Sequence, residues 1–293
     1  MQQTPFDVHA ALVNQRGYHN HRVNTHSDVI SDGILQDLWR GCPALRADLE
    51  AGRVGFWKNK KIKWGRGRDT DLIIAEPIVA KSRGMQGALT YDWHGAAVDA
   101  RSKPNPNRVR IMIEHKSVIT AHRNRDARYD DLNNLVQDIV RDAAANIVIG
   151  ATVMVGVSEY YLNIPDKLLP NFIKKSETGK KQFDEERFSR EILARVKAHD
   201  EILFKDYSFA VSYNKSDEIK ETFGKFNRLS RRPQNNRSQL GYDALLLCPV
   251  YYDNVHEARV ARNNDFGIDV DGEYQQFLRR ICEDYTALWG RSE

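Results

Sequence analysis

This sequence predicts an α/β protein with a mixed central β-sheet flanked by helices, and three stretches carry that reading. IMIEHKS, Ile111 to Ser117, alternates on the period of a strand, so Ile111, Ile113, His115 and Ser117 share one face and Met112, Glu114 and Lys116 the other. Leu132, Leu135, Val136, Ile139, Val140 and Ala143 recur at helical spacing and make one apolar stripe. IVIGATVMVGV, Ile147 to Val157, is an almost unbroken apolar run, as expected of a strand buried on both faces. Strand, helix and strand in succession predict a right-handed crossover within one sheet.

The 293 residues suffice for one large domain or two small ones. Apolar residues make up 41% of the chain, enough for a sizeable core. The formal net charge is only +4, so a surface for an anionic polymer has to come from local clustering rather than from the total. Cys42, Cys248 and Cys282 show no paired spacing, which argues against a zinc site and a disulfide framework and fits a reducing, cytoplasmic setting. No apolar run approaches the roughly 20 residues of a membrane span. MQQTPFDVHAALVNQ lacks the basic-then-apolar order of a signal peptide.

In chain order, residues 1–27 are polar and rich in histidine (His9, His19, His21, His26) and read as a solvated loop. Ile30, Ile34, Leu35, Leu38 and Trp39 then predict a helix that Pro43 interrupts and Ala44 to Ala51 resumes. Residues 53–68, RVGFWKNKKIKWGRGR, hold seven bases, no acid and three interleaved aromatics. Such a stretch suits a nucleic-acid backbone, with cations for phosphates and rings for sugars or bases; a solvated hairpin has the same composition. Leu72 to Ala75 predicts a short buried strand with Asp69 and Asp71 at its start, and residues 81–107 a long connection. The central strand spans Arg108 to Ser117, and the helix after it Asp126 to Asn146. Beyond Pro165 and Pro170, residues 183–204 read as a helix, Tyr207 to Tyr213 as a strand, and residues 225–239 as a basic, amide-rich loop. Ala244 to Tyr252 reads as a buried strand and Tyr274 to Trp289 as a closing helix.

Chemistry concentrates at the central strand. Glu114 can hold a divalent cation through oxygen, and Lys116, two residues on and on the same face, can steady a water or a phosphate oxygen beside it. Asp71, at the mouth of the preceding strand, supplies a second carboxylate. This arrangement, Asp71 with Glu114-His115-Lys116 on strand, strand, helix and strand, resembles the PD-(D/E)xK superfamily of nucleases, the restriction-endonuclease-like fold, over roughly residues 28–157.

The resemblance implies that Asp71 and Glu114, with the backbone carbonyl of His115, hold Mg²⁺, for which Mn²⁺ can substitute. It implies that Lys116 orients or helps deprotonate the attacking water. The activity implied is hydrolysis of double-stranded DNA by a homodimer of the type II restriction class, since two cuts on two strands favour a two-fold protein; a structure-specific or repair nuclease and a non-catalytic DNA-binding module are the alternatives. Arg123, Arg125 and Arg128 then clamp flanking phosphates, Lys60, Lys61 and Lys63 lie along the DNA, and Arg228, Arg231, Arg232 and Arg237 have the chemistry to read base edges. The expected layout is a single nuclease domain over residues 1–293. Its core covers about 28–157 plus 240–293, with an inserted helical and basic recognition region over about 158–239 and a C-terminal elaboration.

The chain departs from the family pattern in two ways. Thr70, not proline, precedes Asp71, and Asp71 lies far in sequence from Glu114 for a neighbour in the sheet. Asp69, Asp92 and Asp99 therefore compete with Asp71, and Glu50 and Glu76 are candidate auxiliary carboxylates. His115 points away from the proposed site, as a packed core histidine would. His122 remains open.

Overall fold

The apolar runs of the sequence meet in one six-stranded sheet in the computed structural model, which describes residues 3–16, 19, 25–62, 68–78, 90–93, 96–99, 103–120, 124–142, 146–163, 169–175, 181–197, 210–233, 236 and 238–290. Helices α1 (Pro5–Arg16), α2 (Thr25–Gly41) and α3 (Pro43–Glu50) lead into β1 (Gly55–Ile62) and β2 (Arg68–Ile78). A hairpin of β3 (Thr90–Trp93) and β4 (Ala96–Asp99) precedes β5 (Lys103–Val118), α4 (Arg125–Asp142) and β6 (Val148–Gly156). There follow β7 (Tyr160–Asn163), the pair β8 (Ile173–Lys175) and β9 (Lys181–Phe183), and the short helices α5 (Glu185–Phe188) and α6 (Ala194–Lys197). The chain continues through β10 (Ala210–Tyr213), α7 (Ser216–Asn227), β11 (Ala244–Tyr251), β12 (Arg259–Val260) and α8 (Val270–Trp289).

The sheet runs β1-β2-β5-β6-β11-β12. β1, β2 and β5 are antiparallel neighbours, β5, β6 and β11 run parallel, and β12 returns antiparallel. It is therefore the mixed sheet expected, and α4 is the crossover that joins parallel β5 and β6. Strand alternation divides the core in two. Leu72, Ile74, Ile111, Ile113, Val148, Leu246 and Val250 meet Phe6 of α1, Ile30, Ile34 and Leu38 of α2, and Tyr274, Phe277 and Ile281 of α8. Ile73, Met112, Ile149, Val153, Leu245 and Leu247 meet Leu132, Val136 and Ile139 of α4 and Phe223 and Phe226 of α7. Each fully buried Leu, Ile or Phe contributes about 1.5–3 kcal/mol, so two such layers hold the sheet between the helices on its two faces. At the end of β6 a Cβ on Gly156 would lie 2.2 Å from the Ile119 carbonyl oxygen, and only glycine lets the chain leaving β5 pass so close. On the first face, the buried Asp48 accepts from Arg53, from Arg110 and from the Tyr285 hydroxyl, which ties α3, β5 and α8 together.

Several expectations are corrected. The N-terminal stretch is not a solvated loop: α1 buries Phe6, Ala10 and Val13, which lie at i, i+4 and i+7, so the core extends beyond the expected boundary at residue 28. His9 and His19 are buried too, with His9 Nδ1 2.9 Å from the Tyr252 hydroxyl and the His19 N–H donating to Asn254 Oδ1 at 2.5 Å. The helix α7 was not foreseen, although Ile219, Phe223 and Phe226 carry the same spacing; it shortens the expected basic loop and brings part of the expected insert into the core. The helix expected over 183–204 is divided by a wider turn at Ser189–Leu193 and is described only as far as Lys197. Cys42 and Cys282 form a disulfide, with their Cα atoms 5.4 Å apart. The absence of a paired spacing could not exclude it, because α8 carries Cys282 back to the α2–α3 junction from 240 residues away. Among the described residues, no helix is long and apolar enough to cross a membrane.

Candidate active site

β2 and β5 hold one register from Ile74–Ile111 to Leu72–Ile113, and there their ladder ends. β2 runs on to Arg68 paired only with β1, while β5 runs on to Val118 paired only with β6. A notch thus opens between the two central strands at Asp71 and Glu114, the first residues past the last pair. In the notch a side chain replaces a ladder partner: the His115 N–H donates to Asp71 Oδ2 at 2.7 Å.

Glu114 is buried, only 6% exposed, and Lys116 Nζ donates to its Oε1 at 2.5 Å. Its other oxygen, Oε2, is buried and has no hydrogen-bond partner among the described residues. Burial pushes the Glu114 carboxyl up from 4.5 to about 7; Lys116 pulls against this, the Asp71 carboxylate adds to the rise, and the Asp71 backbone N–H opposes it. A carboxylate with a spare buried oxygen, next to a second carboxylate, is an electrostatic arrangement that a cation relieves. Both donors are hard oxygens, as Mg²⁺ or Mn²⁺ requires. Among the described residues, no group of three or more His, Cys, Asp and Glu side chains converges as a metal site, so further ligands would be backbone or solvent.

The competing acids lie elsewhere. Asp99 and Asp92 sit on the β3–β4 hairpin, which pairs with itself outside the main sheet. Asp69 is on β2, but its register partner is Lys61 of β1. Glu76 receives Arg110 at 3.0 Å, and Glu50 is exposed at the end of α3. The His115 ring is buried on the opposite side of β5, with Nδ1 2.8 Å from Thr152 Oγ1 and Nε2 3.0 Å from Ser31 Oγ. Ser31 and Thr152 were missed in the sequence. Each left one signal, a lone polar residue inside an apolar pattern: Ser31 beside Ile30 and Ile34, and Thr152 within the run that becomes β6.

The predicted DNA contacts divide into four groups. Lys60 is exposed on β1, and Arg228 is exposed at the end of α7. Arg125 pairs with Glu221 at 2.9 Å at the start of α4, and Arg128 sits 3.5 Å from Asp131 on the same helix. Lys63, Arg123, Arg237, His122 and the side chain of Lys61 lie outside the described residues. Arg231 turns one guanidinium nitrogen to the Leu245 carbonyl at 3.3 Å, and burial together with Arg280 lowers its pKa. Arg232 is a correction. Its side chain is 2% exposed, donates to the Ile147 carbonyl at 2.9 Å and faces Asp243 at 3.4 Å, so it braces the start of β6 and β11 from within and does not reach a groove.

Comparison with known proteins found no matching family model, curated protein or solved structure.

Proposed function

We propose that this chain is a divalent-metal-dependent endonuclease that hydrolyses phosphodiester bonds of double-stranded DNA, of the kind represented by type II restriction enzymes. One observation carries the reading: Asp71 and Glu114 meet where the ladder between β2 and β5 ends, with Lys116 on one Glu114 oxygen and the other buried without a partner. The unpartnered oxygen and the all-oxygen donor set fit Mg²⁺ or Mn²⁺. Asp71, Glu114 and the His115 carbonyl would hold the ion. Bound there, it would neutralise a non-bridging phosphate oxygen and lower the pKa of its water.

The remaining roles belong to the chain itself. Lys116, held against Glu114, keeps an ammonium at the notch, where it steadies a phosphate oxygen or orients the attacking water. The basic edge strand β1, with Lys58 and Lys60 half-buried or exposed, and the arginines at the start of α4 supply positive charge for the backbone on either side. Two strands to cut favour a homodimer.

The test is nicking and linearisation of a plasmid by purified protein with Mg²⁺, with Mn²⁺, and with EDTA, followed by sequencing of the ends. Cleavage should require the metal, and Lys116→Ala should fold and bind DNA yet lose rate by a factor on the order of 10² or more. Full cleavage in EDTA would overturn the metal assignment. A gel shift with no cleavage under any metal would leave a DNA-binding module in its place.

A further inference from the structure

We propose that Ser31 and Thr152, acting through His115, are positioning residues for the Asp71–Glu114 pair. This rests on the metal-dependent reading of that pair. The need arises from the ladder itself. Past Leu72–Ile113 no ladder pair joins β2 to β5, and the two strands are held there through their side chains, yet a shared metal requires their two carboxylates to keep a fixed spacing. A second set of bonds lies on the opposite side of the sheet. Ser31 Oγ donates to the Asp71 carbonyl at 3.4 Å and sits 3.0 Å from His115 Nε2, while His115 Nδ1 sits 2.8 Å from Thr152 Oγ1.

Hydroxyl chemistry orders the chain of donors. Ser31 has one hydroxyl hydrogen. If it serves the Asp71 carbonyl, Ser31 must accept from His115 Nε2–H. In the neutral tautomer protonated at Nε2, His115 Nδ1 accepts from the Thr152 hydroxyl, and the bonds run from Thr152 to His115 to Ser31 to Asp71. This relay spans β6, β5, α2 and β2, and links both sides of the notch from beneath. All three side chains are buried, with Ser31 and Thr152 at 0% and His115 at 3% exposed, so water does not compete for these bonds. The His115 backbone belongs to the same unit, since its N–H holds Asp71 Oδ2 at 2.7 Å. One ring thus anchors its own strand to β6 and α2 while its amide orients the acid. Outer partners of this type usually change metal affinity or activity by about 10- to 100-fold when removed.

The experiment measures Mn²⁺ binding by calorimetry without DNA, together with kcat and KM for cleavage. The variants are Ser31→Ala, Thr152→Val, Thr152→Ser and, as a packing control on the same helix, Ile34→Val. Ser31→Ala and Thr152→Val should weaken Mn²⁺ binding by about 10- to 100-fold and lower kcat, with KM for DNA unchanged. Thr152→Ser keeps the hydroxyl and should restore binding to near the wild-type value. Ile34→Val should lower the urea midpoint and leave Mn²⁺ affinity alone. If Ser31→Ala fails to fold, Thr152→Val against Thr152→Ser decides the matter. Wild-type Mn²⁺ affinity in folded Ser31→Ala and Thr152→Val would overturn the relay and leave the nuclease reading standing. Equal weakening in Ile34→Val would also overturn it, by showing a general softening of α2. A wild-type protein that binds no Mn²⁺ would overturn both the relay and the reading beneath it.

Discussion

Glu114→Gln is the most informative substitution, because one buried charge ties stability to function. In the metal-free chain, burial lifts the Glu114 carboxyl from 4.5 to about 7. The folded pKa lies above the unfolded one. Between these values the folded state keeps a proton that the unfolded state has already released, so stability falls as pH rises through about 4.5 to 7 and stays lower above that window. At 1.36 kcal/mol per unit, the full interval is worth about 3 kcal/mol. Glutamine has nearly the same shape and does not titrate, so the variant lacks this component. The assay is urea unfolding of both proteins in EDTA, at steps between about pH 5 and pH 8, with the difference in stability plotted against pH. Carboxylates remote from the notch cancel in that difference, which reports Glu114 together with the Asp71 carboxylate beside it. It should move in favour of the variant as pH rises and level off above about pH 7. Saturating Mg²⁺ should then reverse the order, because a ligand that binds only the folded wild type stabilises it by mass action and leaves Glu114→Gln unchanged. A flat difference would show that Glu114 is not held charged in a closed notch, and the site built on it would fall. A pH slope without any response to Mg²⁺ would leave the burial intact and remove the metal.

Three further outcomes are expected. Asp71→Asn should abolish cleavage with little change in the urea midpoint while Asp99→Asn cuts normally, since β2 borders β5 and the β3–β4 hairpin does not; a dead Asp99→Asn with an active Asp71→Asn would place the second carboxylate elsewhere. Arg232→Ala should not relax sequence preference but destabilise the fold by about 3–5 kcal/mol, because it takes the facing guanidinium from the buried Asp243 carboxylate, and an unchanged urea midpoint would refute that account. Reduction of the Cys42–Cys282 disulfide should lower stability by about 2–4 kcal/mol with the notch chemistry retained, which unfolding with and without a reductant, in parallel with Mn²⁺ binding, would check.

Much of the architecture was legible in the sequence because periodicity reports burial. β5, α4, β6, β11 and α8 all lie where the apolar patterns predict them, within a few residues at their ends. The Glu114–Lys116 pair was legible for the same reason, since a spacing of two on a strand puts both side chains on one face. Periodicity fails where polar residues interrupt a short pattern. The histidines of α1 concealed Phe6, Ala10 and Val13, and the Lys and Glu residues of α7 concealed Ile219, Phe223 and Phe226.

Other features only the tertiary structure decided. A strand pattern tells which side chains are buried but not which strand lies alongside, so Asp99 and Asp69 stood as competitors to Asp71 until β2 paired with β5 and the β3–β4 hairpin paired with itself. Composition gave Arg232 and Arg228 the same chemistry, and the fold sent one inward to Asp243 and left the other exposed. The disulfide and the Thr152–His115–Ser31 relay join residues distant in sequence, and no local spacing encodes such contacts. By itself the sequence determined the alternation and helical stripes that make each element, because these depend on the geometry of a single segment. Which segments are neighbours depends on the packing of two whole faces, and that packing alone created the notch in which Asp71 meets Glu114.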